Sequence, residues 1–467
     1  MRLIVNFLKS KNVIAGSFYL IGNLFNKAIA FLTVPIFTRL MSTSDYGIVN
    51  TYMSWVSILS LVVGLSLGNS IRSAYMDFKE DLDGYISSIF FLALLNFVVS
   101  STVIILIAYY FLEQVDIILV VLCLVQSFMT FVINTITIKY MLAMEYIKKT
   151  LLLALPNIVI VILSVVFLLN MDSYKYLGRI VPYVAVLSIL GTFYLVKFFV
   201  VGKNFIKKTY WSYAIGLSIP LILHGLSVNI LRTSDRTMIT VFQSASETGI
   251  YSLVYNLSMV ALVVTTSLES VWIPWFNKKM QNNDKTIINK HVKMYIEIVL
   301  VAFLSLLMIS PEVLIVMAPR EYWVGIVLIA PILLGCFFMF LYSISVNLEF
   351  YYKSTKIIAI NTIIAASLNL ALNFAFIPLY GAMAAAITTV VAYVVSFGIH
   401  YCAARKLDNQ LFPFKIYTKP ILIMCIGVFI SYLLIDYAII RWSIALIGLL
   451  IYLFISLKRD GFVALLK

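Results

Sequence analysis

Charge is scarce in this chain, and so are the residues of most reactive chemistry. Only 12% of its 467 residues are Asp, Glu, Lys or Arg, about half the share of a soluble domain. Its histidines, His224, His291 and His400, are scattered on three separate segments, so no metal constellation forms and neither a metal nor another cofactor is expected. Cys123, Cys336, Cys402 and Cys425 lie in or at the ends of apolar stretches without paired spacing, which excludes a disulfide framework. No glycine-rich phosphate loop occurs, so the chain carries no ATPase of its own. The polar connections are short, which leaves little room for a catalytic domain outside the apolar stretches.

Apolar side chains supply 63% of the sequence and the mean hydropathy is +1.03. A helix needs about 20 apolar residues to cross a bilayer, and the sequence supplies such runs at 13–40, 47–69, 85–111, 117–138, 151–169, 177–199, 213–242, 249–272, 292–318, 324–348, 357–377, 380–402, 419–435 and 440–457. Their continuity favours helices over barrel strands, which alternate apolar and polar residues. The fold class is therefore an all-α integral membrane protein with about fourteen transmembrane helices.

Lys and Arg outnumber Asp and Glu by 34 to 20, giving a net charge of +14. Nucleic acid is one partner such a balance suggests, but the placement points to the bilayer. On the side opposite the N-terminus the loops hold only Arg39, Lys175, Arg179, Arg320 and Arg441. Lys27, Arg232 and Arg236 fall inside spans, and the remainder crowd the other side. A Lys/Arg-rich side is cytoplasmic, so both termini are expected there and no nucleic-acid partner is. The apolar run after Arg2, Lys9 and Lys11 is too long for a cleaved signal and reads as the first helix.

The chain repeats itself. Ser42, Ser44, Asp45, Gly47 and Ile48 return as Ser244, Ser246, Glu247, Gly249 and Ile250, an offset of about 202 residues. Glu145, Tyr146, Lys149, Thr150 and Asn157 are read as returning in Glu349, Phe350, Lys353, Ser354 and Asn361, at about 204. Two six-helix lobes follow, 1–205 and 206–405, with a C-terminal helix pair in 406–467. Duplicated halves around a central path are a recurrent transporter design.

An ammonium or guanidinium in hydrocarbon costs at least ~2.5 kcal/mol, so it faces protein or water. Lys27 lies near the centre of the first span, on a stripe with Gly16, Asn23 and Ala30. In the seventh span Gly225, Asn229, Arg232 and Arg236 share a helix face, and Asp235 lies three residues from Arg232, within pairing reach. Lys27, Asn229, Arg232 and Arg236 are thus expected to line a cationic path suited to phosphate or pyrophosphate. Asp235, Arg72 and Glu269 are expected as structural or gating ion-pair residues.

The run from Leu40 to Gly47, ending Asp45-Tyr46-Gly47, resembles the loop after the first helix of bacterial polysaccharide transporters in the multidrug/oligosaccharidyl-lipid/polysaccharide exporter superfamily. Ser234, Asp235 and Arg236 with Gly249, Ile250 and Tyr251 are similar to that family's seventh and eighth helices. Asn369, Leu370, Leu372, Asn373, Ile377, Pro378, Gly381 and Ala382 are similar to its eleventh-to-twelfth junction. Among members the chain looks most like the O-antigen flippases. The resemblance implies movement of undecaprenyl-pyrophosphate-linked oligosaccharide to the outer leaflet of the cytoplasmic (inner) membrane by alternating access, with a polysaccharide polymerase and a chain-length regulator as further partners. An ion-coupled multidrug antiporter of the same fold is the alternative, although it would favour intramembrane carboxylates over Lys and Arg. A polymerase or glycosyltransferase, the enzyme reading, would need larger extramembrane loops.

Overall fold

The computed structural model describes residues 29, 31–111 and 116–458, and no strand occurs among them. Helices α1 (Phe31–Leu40) and α2 (Thr43–Val63) are followed by a short helix α3 (Ile71–Asp77), then α4 (Leu82–Phe111), α5 (Ile117–Leu142), α6 (Tyr146–Leu169), α7 (Lys175–Gly202) and α8 (Lys208–Phe242). The chain continues through α9 (Ala245–Gln281), α10 (Lys285–Met317), a 3-10 segment (Arg320–Leu328), α11 (Ile329–Tyr351), α12 (Thr355–Leu407), α13 (Lys415–Leu433) and α14 (Ala438–Lys458). Ten helices among the described residues are long and apolar enough to cross a membrane. Every expected span overlaps a described helix; only the end of the first lies in the described part, as α1. The long α12 covers two spans because its backbone breaks at Gly381.

Two compact units divide at Thr233 and Ser234, inside α8 and not at its start. The reason lies in the partners along α8. In the first unit Trp211 donates to the Ser88 carbonyl at 3.1 Å and Ser218 to the Ser66 carbonyl at 3.3 Å, whereas Asp235 makes its bonds inside the second unit. The expected C-terminal helix pair belongs to the second unit, where α13 and α14 both pack on α10.

In the first unit α5 packs against α2, α4 and α7 around Val63, Phe90, Phe128, Phe131 and Ile136. The end of α2 comes so close to α5 that a Cβ on Gly64 would lie 2.2 Å from the Phe131 ring, a close approach typical of membrane helices. The chain turns there through Leu65 and Ser66, both at positive φ. Asn96 of α4 donates to the Val62 and Val63 carbonyls at 3.0 and 2.8 Å, which satisfies backbone groups that lipid could not.

The motif repeated at an offset of about 202 residues has a physical role in both units. Ser42 and Ser244 cap α2 and α9 by accepting from the Asp45 and Glu247 amides at 3.0 and 3.1 Å. Each acid then reaches a second helix. Asp45 accepts from the Tyr176 amide at the start of α7, 3.2 Å away, and Glu247 accepts from the Ala382 amide just after the break in α12, at 2.6 Å. Gln243 donates to the Ile377 and Pro378 carbonyls at 2.8 and 3.1 Å. Both sides of the break are therefore supplied from the α8–α9 turn. Gly381 itself has φ 59° and ψ −143°, and a Cβ there would lie 2.1 Å from Glu247 Oε1.

The second expected echo does not align equivalent positions. Glu145 is the N-cap of α6, whereas Glu349 lies within the last turn of α11. The matching turns are those with Met144 and Lys353 at positive φ, after which the Glu145 amide donates to the Tyr140 carbonyl and the Ser354 amide to the Glu349 carbonyl, both at 2.9 Å. Tyr140 is thus the counterpart of Glu349. In the first unit Tyr140 meets the Tyr194 hydroxyl of α7 at 3.3 Å. In the second, the fully buried Glu349 meets His400 of α12, whose Nδ1 lies 2.9 and 3.1 Å from the two carboxylate oxygens.

Two further ion pairs fasten the second unit. Arg441, 1% exposed, donates to both oxygens of Glu312 on α10 and to the Leu434 and Met308 carbonyls at 2.9 and 2.6 Å. Arg441, expected among the cations of the side opposite the N-terminus, has its guanidinium buried against α10. Lys285 at the start of α10 pairs with Asp408 beyond the end of α12, at 2.8 Å. Burial disfavours the charged Asp408 carboxylate, but the Lys285 ammonium and the amides of Gln410 and Leu411 outweigh it and hold its pKa below the usual range.

Gly381→Ala should lower stability by about 1–3 kcal/mol, read as earlier thermal unfolding in detergent, because alanine neither adopts this backbone nor clears Glu247. His400→Ala leaves a buried carboxylate without its partner and should cost about 3–5 kcal/mol in denaturant unfolding, while the Glu349→Leu/His400→Leu double variant regains most of it. Asp408, with its lowered pKa, stabilises the fold above its unfolded value of about 3.9 and ceases to as pH falls through the folded value. The melting-temperature gap between wild type and Asp408→Asn should therefore persist at neutral pH and close in strong acid.

Candidate functional site

The polar residues of α8 separate into two environments within two helical turns. Asn229 is half-buried and spends its amide on its own helix, donating to the Gly225 carbonyl at 2.9 Å. Arg232, on the next turn, is exposed. α8 is helical through these positions, so the helical repeat sets which residues share a face.

Asp235 points the other way and is 1% exposed. Its carboxylate accepts from Tyr251 of α9 at 2.6 Å, from Asn373 in the first half of α12 at 2.6 Å and from Thr389 in the second half at 3.0 Å. Asn373 also donates to Asn369 at 3.2 Å and accepts from Thr388, and Asn369 donates to Thr389 at 3.3 Å. One carboxylate therefore ties α8, α9 and both halves of α12 together. Its hydrogen-bond donors are neutral, so the arginine pairing expected from the i,i+3 spacing gives way to a network of hydroxyl and amide groups. Hydrogen bonds to a charged group contribute about 1.5–3 kcal/mol each, so the network joins these helices firmly.

Arg236 follows directly and is half-buried. Its guanidinium lies over the Tyr255 ring at 5.2 Å and donates to Asn256 Oδ1 at 3.3 Å. Aromatic stacking of this kind keeps an arginine charged and oriented in an apolar setting. The structure thus brings Asp235 and Arg236 into one polar layer, in which the arginine's positive charge acts on the buried carboxylate.

The other expected residues lie apart from that layer. Arg72 is exposed on α3. Glu269, half-buried on α9, accepts from Ser343 of α11 at 2.7 Å. Lys27 lies outside the described residues. No metal-binding group of three or more His, Cys, Asp or Glu occurs among the described residues. Sequence reading missed two buried ionisable contacts, Glu349–His400 and Glu312–Arg441. Their partners are 51 and 129 residues apart, and no periodicity links such positions.

The family of polysaccharide biosynthesis proteins matches residues 13–280, more than half of the chain. A Haemophilus influenzae protein named for the Lsg locus is 25% identical over 374 residues, 76% of this chain and 90% of that protein. Among solved structures, the lipid II flippase MurJ in an inward closed conformation superposes with a TM-score of 0.68 at 18% identity, covering 95% of this chain and 99% of that one. A multidrug resistance MATE family transporter of the MOP superfamily, facing inward, gives 0.62 at 13% identity, covering 83% and 96%. The extent of the family match and the shared helical architecture lead to one assignment: the chain belongs to the polysaccharide biosynthesis protein family and has the fold of MOP-superfamily transporters.

Proposed function

We propose that this protein is a flippase that moves an undecaprenyl-pyrophosphate-linked oligosaccharide from the cytoplasmic to the outer leaflet by alternating access, for assembly of O-antigen or another surface polysaccharide. It is a multi-pass membrane transporter rather than an enzyme. The observation that carries the reading is the two guanidinium groups of α8, Arg232 exposed and Arg236 held over an aromatic ring, one turn apart on an otherwise largely apolar helix. A diphosphate is the natural guest of such groups, because guanidinium binds phosphate oxygens in pairs. Lys27 in the first span would add a point charge to the same path, and Asn229 a polar lining residue. Asp235 would hold the helix that presents the arginines, with Arg72 and Glu269 as gate residues.

The lipid II flippase among the structural neighbours supports a lipid-linked cargo. The reading places the protein in the bacterial cytoplasmic membrane with both termini cytoplasmic, beside a polymerase and a chain-length regulator. Outward movement of each negative charge across ~100 mV is worth about 2.3 kcal/mol, so the membrane potential would assist export.

The test is the leaflet location of lipid-linked repeat units in a deletion strain carrying wild-type or variant protein at matched levels. Arg232→Ala and Lys27→Ala should leave the repeat unit in the cytoplasmic leaflet, and Arg232→Lys should restore movement in part. Normal surface polysaccharide in all three strains would refute the cationic path. Drug efflux with unaltered polysaccharide would instead establish the multidrug antiporter.

A further inference from the structure

The second unit contains a cleft of about 430 Å³ between the first turns and the last turns of α12, within the range of small-molecule sites. Its walls are mostly apolar, from Ile357, Ile399 and Leu407, but three residues give it direction. Lys406, one residue from the end of α12, is exposed at the rim. Asn361 is only 6% exposed, and its side-chain NH2 group has no hydrogen-bond partner among the described residues. Gly398 forms part of the lining, and a Cβ built on it would meet nothing within 4 Å.

An unsatisfied buried amide costs about 1–3 kcal/mol, and a residue that lines a cleft can recover this from a ligand. Asn361 lies six residues (361 minus 355) beyond the start of α12, about 9 Å along a helix. The polarity is therefore layered, with an ammonium at the helix end, an amide donor about two turns in, and apolar walls around them.

We propose that this cleft is a binding site for an anionic glycerophospholipid of the Lys/Arg-rich leaflet. Its phosphodiester sits at Lys406, an ester carbonyl accepts from Asn361, and an acyl chain lies along Gly398 and Ile399. The charge of the site selects this occupant. The lining itself offers one ammonium and one neutral donor, the complement of a single phosphodiester, whereas a diphosphate would need a second cation inside the cleft. Lys353, Lys356 and Arg405 flank the same helix ends, a setting that disfavours the ammonium of a zwitterionic headgroup and attracts anionic lipid.

The test uses the full-length protein in nanodiscs with photoreactive phosphatidylglycerol, phosphatidylcholine or undecaprenyl diphosphate, and maps adducts by peptide mass spectrometry. Phosphatidylglycerol should label α12 within the cleft in preference to the other two. Lys406→Ala should weaken that labelling about fivefold, the equivalent of ~1 kcal/mol for one basic residue near a membrane surface. Gly398→Leu, which fills open space, should abolish it without lowering the melting temperature. Should that variant fail to fold, Lys406→Ala decides alone. Equal labelling by phosphatidylcholine, or labelling unchanged by Lys406→Ala, would overturn the proposal, as would preference for undecaprenyl diphosphate. Transport by Gly398→Leu, measured separately, reports on the flippase reading independently.

Discussion

Polar groups inside the apolar spans have no water to turn to, and that constraint decides where the few charges there sit. In hydrocarbon an unsatisfied backbone or side-chain group costs several kcal/mol. Each helix end and each buried charge must therefore find a partner in the chain. Asn96 supplies the carbonyls at the end of α2, Gln243 and Glu247 supply both sides of the break in α12, and three neutral donors converge on Asp235. These contacts also set the helix packing, because each joins elements distant in sequence.

Duplication left the same capping device in both units and let the rest diverge. Asp45 and Glu247 occupy the same place after a serine cap and both reach the N-terminus of a second helix. At the corresponding contact between neighbouring helices, however, one unit has two tyrosine hydroxyls and the other a glutamate and a histidine. The first unit thus has a hydroxyl pair where the second has a carboxylate facing an imidazole.

Membrane class, helix positions and the first repeated motif were legible because they depend on local features: apolar runs long enough to span, and a serine followed three residues later by an acid. The partners of charged residues were not. The i,i+3 spacing of Arg232 and Asp235 suggested a pair along α8, but the Asp235 carboxylate faces α9 and α12, where packed donors outcompete a neighbour on the same helix. Arg441 resembled an outer-loop cation because it follows a short polar turn, and only packing on α10 shows its burial. The second echo failed because the equivalent turns lie 209 residues apart (349 minus 140), not about 204, so matching letters fell on inequivalent positions. Of the expected site, Asp235 and Arg236 share one layer, while Arg72 and Glu269 belong to other surroundings.

The guanidinium clamp between α14 and α10 has a consequence for how the chain is made. Glu312 and Arg441 are 129 residues apart, and at synthesis rates of about 5–20 residues per second the carboxylate waits roughly 6–26 s for its arginine. During that interval α10 carries an uncompensated acid at a position that the finished protein seals. The arginine of α14 is therefore the group that completes α10, and a chain lacking α14 would leave the Glu312 carboxylate without its guanidinium partner.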